Sequence, residues 1–277
     1  MTKHAPALAL TIAGSEATGG AGAQADLKTF QELGVFGIVN LTCIVSFDPK
    51  DNWNHRFVPV DQQVIADQLE ATLAAYGAGS GAPALLQTVK IGMLGSPATI
   101  STVETALKAA SFKNVVLDPV LICKGQEPGH ALDTDQALKN QILPLATFVT
   151  PNHFEAESLS GLKINNVQDL KDAARKIHEI SGAAVLAKGG VRLEGADAVD
   201  VFFDGETLEV LSAPKVGNVA VSGAGCSLAA AVSAELARGA TPLEAARTAK
   251  AFVTEGIKNR VVSGAPFTAL WQGGAGA

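Results

Sequence analysis

The chain is 277 residues long, 47 % of them hydrophobic and 17 % charged, with a formal net charge of −6. That length suffices for one large domain or two small ones, and the apolar share fits strands covered on both faces rather than a solvated bundle. A modest negative charge spread along the chain argues against nucleic acid or an anionic membrane as partner and leaves a small ligand.

The opening MTKHAPALALTIAGS holds one lysine and an apolar run too short for a secretory signal or a bilayer span, so a cytoplasmic location is expected. LALTIAG reads as the first strand. In the following AGSEATGGAGAQADLKTF, glycines 14, 19, 20 and 22 bring the backbone close to a ligand or make a flexible loop. There is no G-x-G-x-x-G, and Gly20 and Ala21 stand where a Walker loop needs Lys and Ser/Thr, which disfavours a dinucleotide-dependent oxidoreductase. Asp26 is either a ligand-binding acid or an exposed first-turn carboxylate.

IVNLTCIVSF is a second strand, followed by the helical DQQVIADQLEATLAAY and a flexible loop over residues 77–84. TVKIGML and NVVLDPVL are further strands, the latter ending at Asp118, and KGQEPGH (residues 124–130) reads as a loop. The strand TFVT runs into TPNHFEAESLSG, where Asn152 and Glu155 make a capping box or hold magnesium through water beside a phosphate chain. VQDLKDAARKIHEI is helical, and the strand AAVLAKGG ends on Lys188. AVDVFFDGETLEVLSAPKV is an antiparallel hairpin around Asp204-Gly205 at the sheet edge. Two helices close the chain, one stopped by Gly239, the other capped by Thr241 with Pro242 at its first position.

This alternation predicts a three-layer α/β/α fold with a mostly parallel central sheet, an antiparallel edge hairpin, and ligands beyond the carboxyl ends of the strands. No linker divides it: residues 1–277 read as a single domain whose tail frays from about residue 272. Cys43, Cys123 and Cys226 have no CxxC spacing, so neither disulfides nor a zinc site is expected.

The helix beginning SGAGCSLAAAVSAELARGA carries the sharpest signal. Its opening amides, from Gly223, Ala224, Gly225 and Cys226, form an anion site at the positive end of a helix dipole. A thiol there is expected to have a lowered pKa and partial thiolate character. With Asp118, Lys188, Asn152 and Glu155 at other strand ends, one sheet edge is equipped for phosphoryl transfer.

On GAGC, TPNHFE, VVLDPV and GGAGAQADLKTFQELG, the chain resembles the ribokinase-like vitamin kinases over nearly its whole length, in the branch of hydroxymethylpyrimidine kinases and related bacterial pyridoxal kinases. Hydroxymethylpyrimidine kinases of that branch usually place a glutamine where this chain has Phe47, while Cys123 in DPVLICKGQEPGH and the DPKDNWNH around His55 look like the two-cysteine pyridoxal kinases.

The resemblance implies an ATP- and Mg2+-dependent kinase that phosphorylates the hydroxymethyl group of pyridoxal and acts as a homodimer. It assigns Ser15, Asp26, Phe47, Met93 and Val120 to the vitamin pocket, with His55 as a further candidate, and Asn152, Glu155, Lys188 and Gly223–Gly225 to the nucleotide. It puts Asp118, with Glu155, near the metal, makes Cys226 the base, and has Cys123 add to the pyridoxal aldehyde as a hemithioacetal. The alternatives are a hydroxymethylpyrimidine/phosphomethylpyrimidine kinase of thiamin biosynthesis and, from a different class, a non-catalytic carrier holding pyridoxal through Cys123.

Overall fold

Apolar residues alternate between the two faces of each central strand, and that alternation builds the layers. A computed structural model of the chain describes residues 5–77, 85–121 and 128–273. Among them, β1 (Ala7–Glu16), β2 (Val35–Asp48), β3 (Asn54–Pro59), β4 (Thr88–Ile91), β5 (Asn114–Leu117), β6 (Phe148–Val149), β7 (Ala184–Lys188), β8 (Asp197–Phe203) and β9 (Leu208–Pro214) form one sheet in the order β3-β2-β1-β4-β5-β6-β7-β8-β9. The strands from β2 to β7 pair in parallel.

On one face Leu10, Ile12, Val89, Ile91, Val115, Leu117 and Val185 pack under α2 (Gln62–Tyr76), α3 (Pro97–Ala110), α5 (His153–Ser160) and α6 (Val167–Ser181). On the other face Ala9, Val116, Phe148, Leu186 and Phe202 meet α1 (Gly22–Glu32), α7 (Ala224–Ala237) and α8 (Pro242–Lys258). α7 is lined with alanine and buried from Ser227 along most of its length, while its opening residues Ala224, Gly225 and Cys226 stay half-buried at the edge of the sheet. None of the helices among the described residues is long and apolar enough to cross a membrane.

The hairpin around Asp204 is present: β8 and β9 pair antiparallel, and the Asp204 carboxylate accepts from the N–H groups of Glu206 and Thr207. Thr241 and Glu244 form a reciprocal capping box at the start of α8. Two expectations change. A second hairpin closes the opposite edge, where β3 returns antiparallel to β2 through Asn52 and Trp53, both with left-handed backbone; its strand NHRFVP is half exposed and carries too little apolar pattern to announce itself. The stretch read as a loop at KGQEPGH is helical from Pro128 onward, in α4 (Pro128–Ala137), while residues 124–127 lie outside the described residues, as do 78–84 of the glycine-rich loop and 274–277 of the tail. At the start of the tail, Gln272 is buried, and its Nε2 donates to Ser227 Oγ at 3.1 Å.

Candidate active site

The turn ahead of α7 depends on glycine. Gly223 is its N-cap at φ +78°, a left-handed conformation, and a Cβ there would collide with the carbonyl of Gly20. The turn therefore lies directly on the glycine loop that follows β1. From behind, Ser222 N–H donates to Thr268 O at 2.9 Å and Leu270 N–H to Ser222 O at 3.0 Å, so the C-terminal segment braces it. The four-amide anion site is corrected to a smaller one, since Ala224 N–H already donates to Val221 O at 3.3 Å.

The amides of the glycine loop are already taken by a side chain of the chain itself. The Glu16 carboxylate accepts from the N–H groups of Thr18, Gly20 and Ala21, at 2.6, 2.9 and 3.1 Å, and fills the concavity those amides make. Sequence reasoning passed over Glu16; an acid just ahead of a run of glycines was the available signal.

Cys226 sits half-buried in the first turn of α7, and the backbone of Gly22, which opens α1, is among the groups that favour its thiolate. The expected lowered pKa does not hold. Burial pushes the thiol up to about 11; Lys90 works against the rise, while Asp118 and Asp26 add to it. Desolvation and two nearby carboxylates outweigh the helix ends.

Asp26 is not an exposed first-turn acid. It is fully buried; its Oδ2 accepts from Thr11 Oγ1 at 2.6 Å and from Lys90 Nζ at 2.8 Å, while its Oδ1 has no partner. Lys90, on β4, was missed, though a lysine inside the apolar TVKIGML of a strand covered on both faces was the signal.

On the nucleotide side Asn152 caps α5 in the reciprocal box that sequence reasoning weighed: Asn152 Oδ1 accepts from Glu155 N–H at 3.0 Å and Glu155 Oε2 from Asn152 N–H at 2.7 Å. Burial, reinforced by Asp118 and opposed by Lys188, raises the Glu155 carboxyl to about 8. Lys188 Nζ lies 3.4 Å from Asp118 Oδ1 and 3.5 Å from the point a Gly225 Cβ would occupy, so glycine leaves room for the ammonium at the α7 turn. Burial disfavours that ammonium, yet Asp118 and Glu155 together hold its pKa above the ordinary lysine value.

On the proposed vitamin side, Ser15 Oγ accepts from Gln24 Nε2 at 2.8 Å, and Met93 packs its sulfur 3.6 Å from Cys43 Sγ, with Thr42 Oγ1 donating to Met93 O at 2.6 Å. Val120 N–H donates to Asp118 O at 2.8 Å, which ties that residue to the acid. Phe47 belongs to an aromatic cluster: His55 meets it edge-on at 4.7 Å, Phe267 at 5.0 Å and Trp53 at 6.4 Å between ring centres. Trp53 and Phe267 were not anticipated, because Phe267 reaches the hairpin from the far end of the sequence. Cys123 lies outside the described residues.

Among the described residues no three acidic, histidine or cysteine side chains gather into a metal cage. Asp118 and Glu155 still fit magnesium, which keeps several waters and binds through one or two carboxylates together with substrate phosphates.

Lysine, acid and helix N-terminus at the carboxyl edge of a mostly parallel sheet define a ribokinase-like small-molecule kinase. The phosphomethylpyrimidine kinase pattern matches residues 16–270, and the chain belongs to that family. It is similar to the pyridoxine kinase of Bacillus subtilis (strain 168), with 47 % identity over 90 % of each chain. It is less similar to that organism's hydroxymethylpyrimidine/phosphomethylpyrimidine kinase, with 35 % identity over 91 % of this chain and 89 % of that one. The solved structure of Staphylococcus aureus pyridoxal kinase in complex with AMP-PCP and pyridoxal superposes with a TM-score of 0.88 at 39 % identity, over 99 % of this chain and 96 % of that one.

Proposed function

We propose that the chain is an ATP-dependent, Mg2+-requiring pyridoxal kinase, transferring the γ-phosphoryl group to the hydroxymethyl oxygen of pyridoxal and of other B6 vitamers within a single domain. The observation that carries this reading is the meeting of Lys188, Asp118 and the Gly225 turn within 3.5 Å. Phosphoryl transfer is largely positioning and charge stabilisation, and this is a place built for both. The greater likeness to the pyridoxine kinase than to the hydroxymethylpyrimidine kinase of the same organism supports the vitamin. So does Phe47, which offers a ring face and no amide where a pyrimidine would need a hydrogen bond.

In this reading the amides of Gly223, Gly225 and Cys226, with Lys188, balance charge on the migrating phosphoryl group. Mg2+ would neutralise the phosphates, with Glu155 and Asp118 reaching it through water and Asn152 fixing Glu155 in place. Ser15, Asp26, Met93, Val120, Phe47 and His55 enclose the vitamin. The Cys123 thiolate adds to the aldehyde carbon while the aldehyde oxygen takes a proton, giving a hemithioacetal that pins the substrate. Cys226 takes the hydroxymethyl proton, directly or through the hemithioacetal hydroxyl. A thiol held near pH 11 is protonated at neutrality, so the reaction draws on a small, strongly basic thiolate fraction and its rate climbs with pH.

We further propose that the enzyme is a cytoplasmic homodimer, which fractionation and light scattering would test. Steady-state turnover with MgATP on pyridoxal, pyridoxine and hydroxymethylpyrimidine tests the function itself. Pyridoxal is expected to be preferred; preference for hydroxymethylpyrimidine would assign the site to thiamin biosynthesis, and no turnover of any of them would leave the carrier.

A further inference from the structure

A strap over residues 261–272 runs from the aromatic cluster to the head of α7. Its leading residues 261–264 are exposed, and Pro266 fixes the backbone immediately ahead of Phe267. Phe267 is half-buried; its ring lies 5.0 Å from that of Phe47 and meets Trp53 edge-on at 5.9 Å, while Phe47 and Trp53 stand 6.4 Å apart. Three rings from two distant parts of the sequence thus close a triangle. Beyond Phe267 the strap is fastened to the residue that precedes Gly223: Thr268 O accepts the Ser222 N–H at 2.9 Å, and Leu270 N–H donates to Ser222 O at 3.0 Å. Ala269 exchanges two backbone hydrogen bonds with Val261, at 2.8 and 3.0 Å, and so closes the stretch that carries Phe267 into a loop. The methyl of Ala269 also lies 3.0 Å from where a Gly20 Cβ would stand, against the glycine loop.

We propose that Phe267 is a positioning residue that joins the vitamin wall to the phosphoryl turn: its ring backs Phe47, and the strap that follows it holds Ser222 ahead of Gly223. The inference rests on the kinase reading of that wall and that turn. Covering apolar surface needs only bulk, which a leucine supplies; rings at these separations add orientation, because edge and face carry opposite partial charge. On the other side, Gly223 has no side chain to lock the turn, so its place depends on what grips its neighbours. The carbonyl that takes the Ser222 N–H belongs to the residue next to Phe267, so a ring that shifts takes that grip with it. A displacement of about 1 Å near the reacting atoms costs on the order of a hundredfold in rate.

Amide hydrogen exchange, read by mass spectrometry on the full ligand-free chain, tests the link without turnover. In Phe267→Ala the peptide covering residues 219–227 is expected to exchange about tenfold faster than in the parent, while peptides from α6 keep the parent rate. Phe267→Tyr retains the ring and should match the parent; Phe267→Leu retains bulk without the ring and should show the same change to a smaller degree, which keeps the test available if the alanine variant does not fold. Kinetics then read the two ends separately. Phe267→Ala should raise KM for pyridoxal and pyridoxine about three- to tenfold, the size of one or two lost ring pairs, and lower kcat by about tenfold or more. In a Phe47→Ala background its effect on KM should disappear and its effect on kcat remain, because the first passes through Phe47 and the second through Ser222. Exchange over residues 219–227 that stays at the parent rate in the folded alanine or leucine variant, or that rises equally in α6, would overturn the proposal, as would parent values of both KM and kcat. If the parent turns over no vitamin, the kinase reading fails, while the exchange rates still decide whether the ring holds the turn.

Discussion

Lys188, the last residue of β7, and Asp118, just beyond β5, face each other at 3.4 Å, Nζ to Oδ1, across two parallel strands that have β6 between them. The pair sits beside the α7 turn, so the lysine is held by the acid and free to face an incoming phosphate. Lys188→Met should therefore lower kcat/KM for ATP by about 10²–10³, the range found on removing one donor that stabilises developing charge. Steady-state kinetics with varied ATP check this; an unchanged kcat/KM would take the lysine out of the transfer.

Glu155 gives a pH signature in the nucleotide-free protein. Its folded carboxyl, near 8, lies far above the ordinary value of 4.5, so between those limits the folded state holds a proton that the unfolded state has released. The stabilisation is fully present below about pH 4.5 and is lost as pH rises toward 8, by up to a few kcal/mol. Glu155→Gln keeps the capping box, since glutamine serves at that position, and removes the titration. Melting curves should show the parent losing stability relative to the variant from pH 5 to 8; parallel curves would contradict this.

Gly223→Ala combines a left-handed backbone with a collision against the Gly20 carbonyl. The backbone strain alone costs about 1–3 kcal/mol, and the collision must also shift the loop held by Glu16. A melting point lowered by several degrees is expected, with turnover falling further than stability does.

Cys123→Ala should cripple phosphorylation of pyridoxal far more than that of pyridoxine, which has no aldehyde. Parallel kcat/KM values for the two vitamers read the difference, and equal losses would remove the hemithioacetal.

The layers were legible because the central strands alternate faces cleanly and the helices carry recognisable caps, as at Asn152 and Thr241. The β2–β3 hairpin was not, because its return strand is half exposed and its turn lacks glycine. Asp118, Lys188 and the SGAGC turn were legible as strand ends and a helix start, where the fold must gather them. Lys90 and Glu16 were missed because each is a polar residue whose partners lie elsewhere in the chain or in backbone amides, and hydrophobic pattern sees neither. The Cys226 thiol was misjudged for a related reason: sequence shows the helix it begins, but not the depth at which α7 is buried or the carboxylates around it.

The most direct test replaces the sulfur itself. Initial rates of phosphoryl transfer from MgATP to pyridoxal and to pyridoxine should fall by at least about 10³ in Cys226→Ala, the upper part of what a positioned base contributes together with its turn. Cys226→Asp, which restores a base at that place, should recover part of the loss. A folded Cys226→Ala chain that phosphorylates both vitamers within about tenfold of the parent rate would show that the proton leaves by another route and would contradict the account.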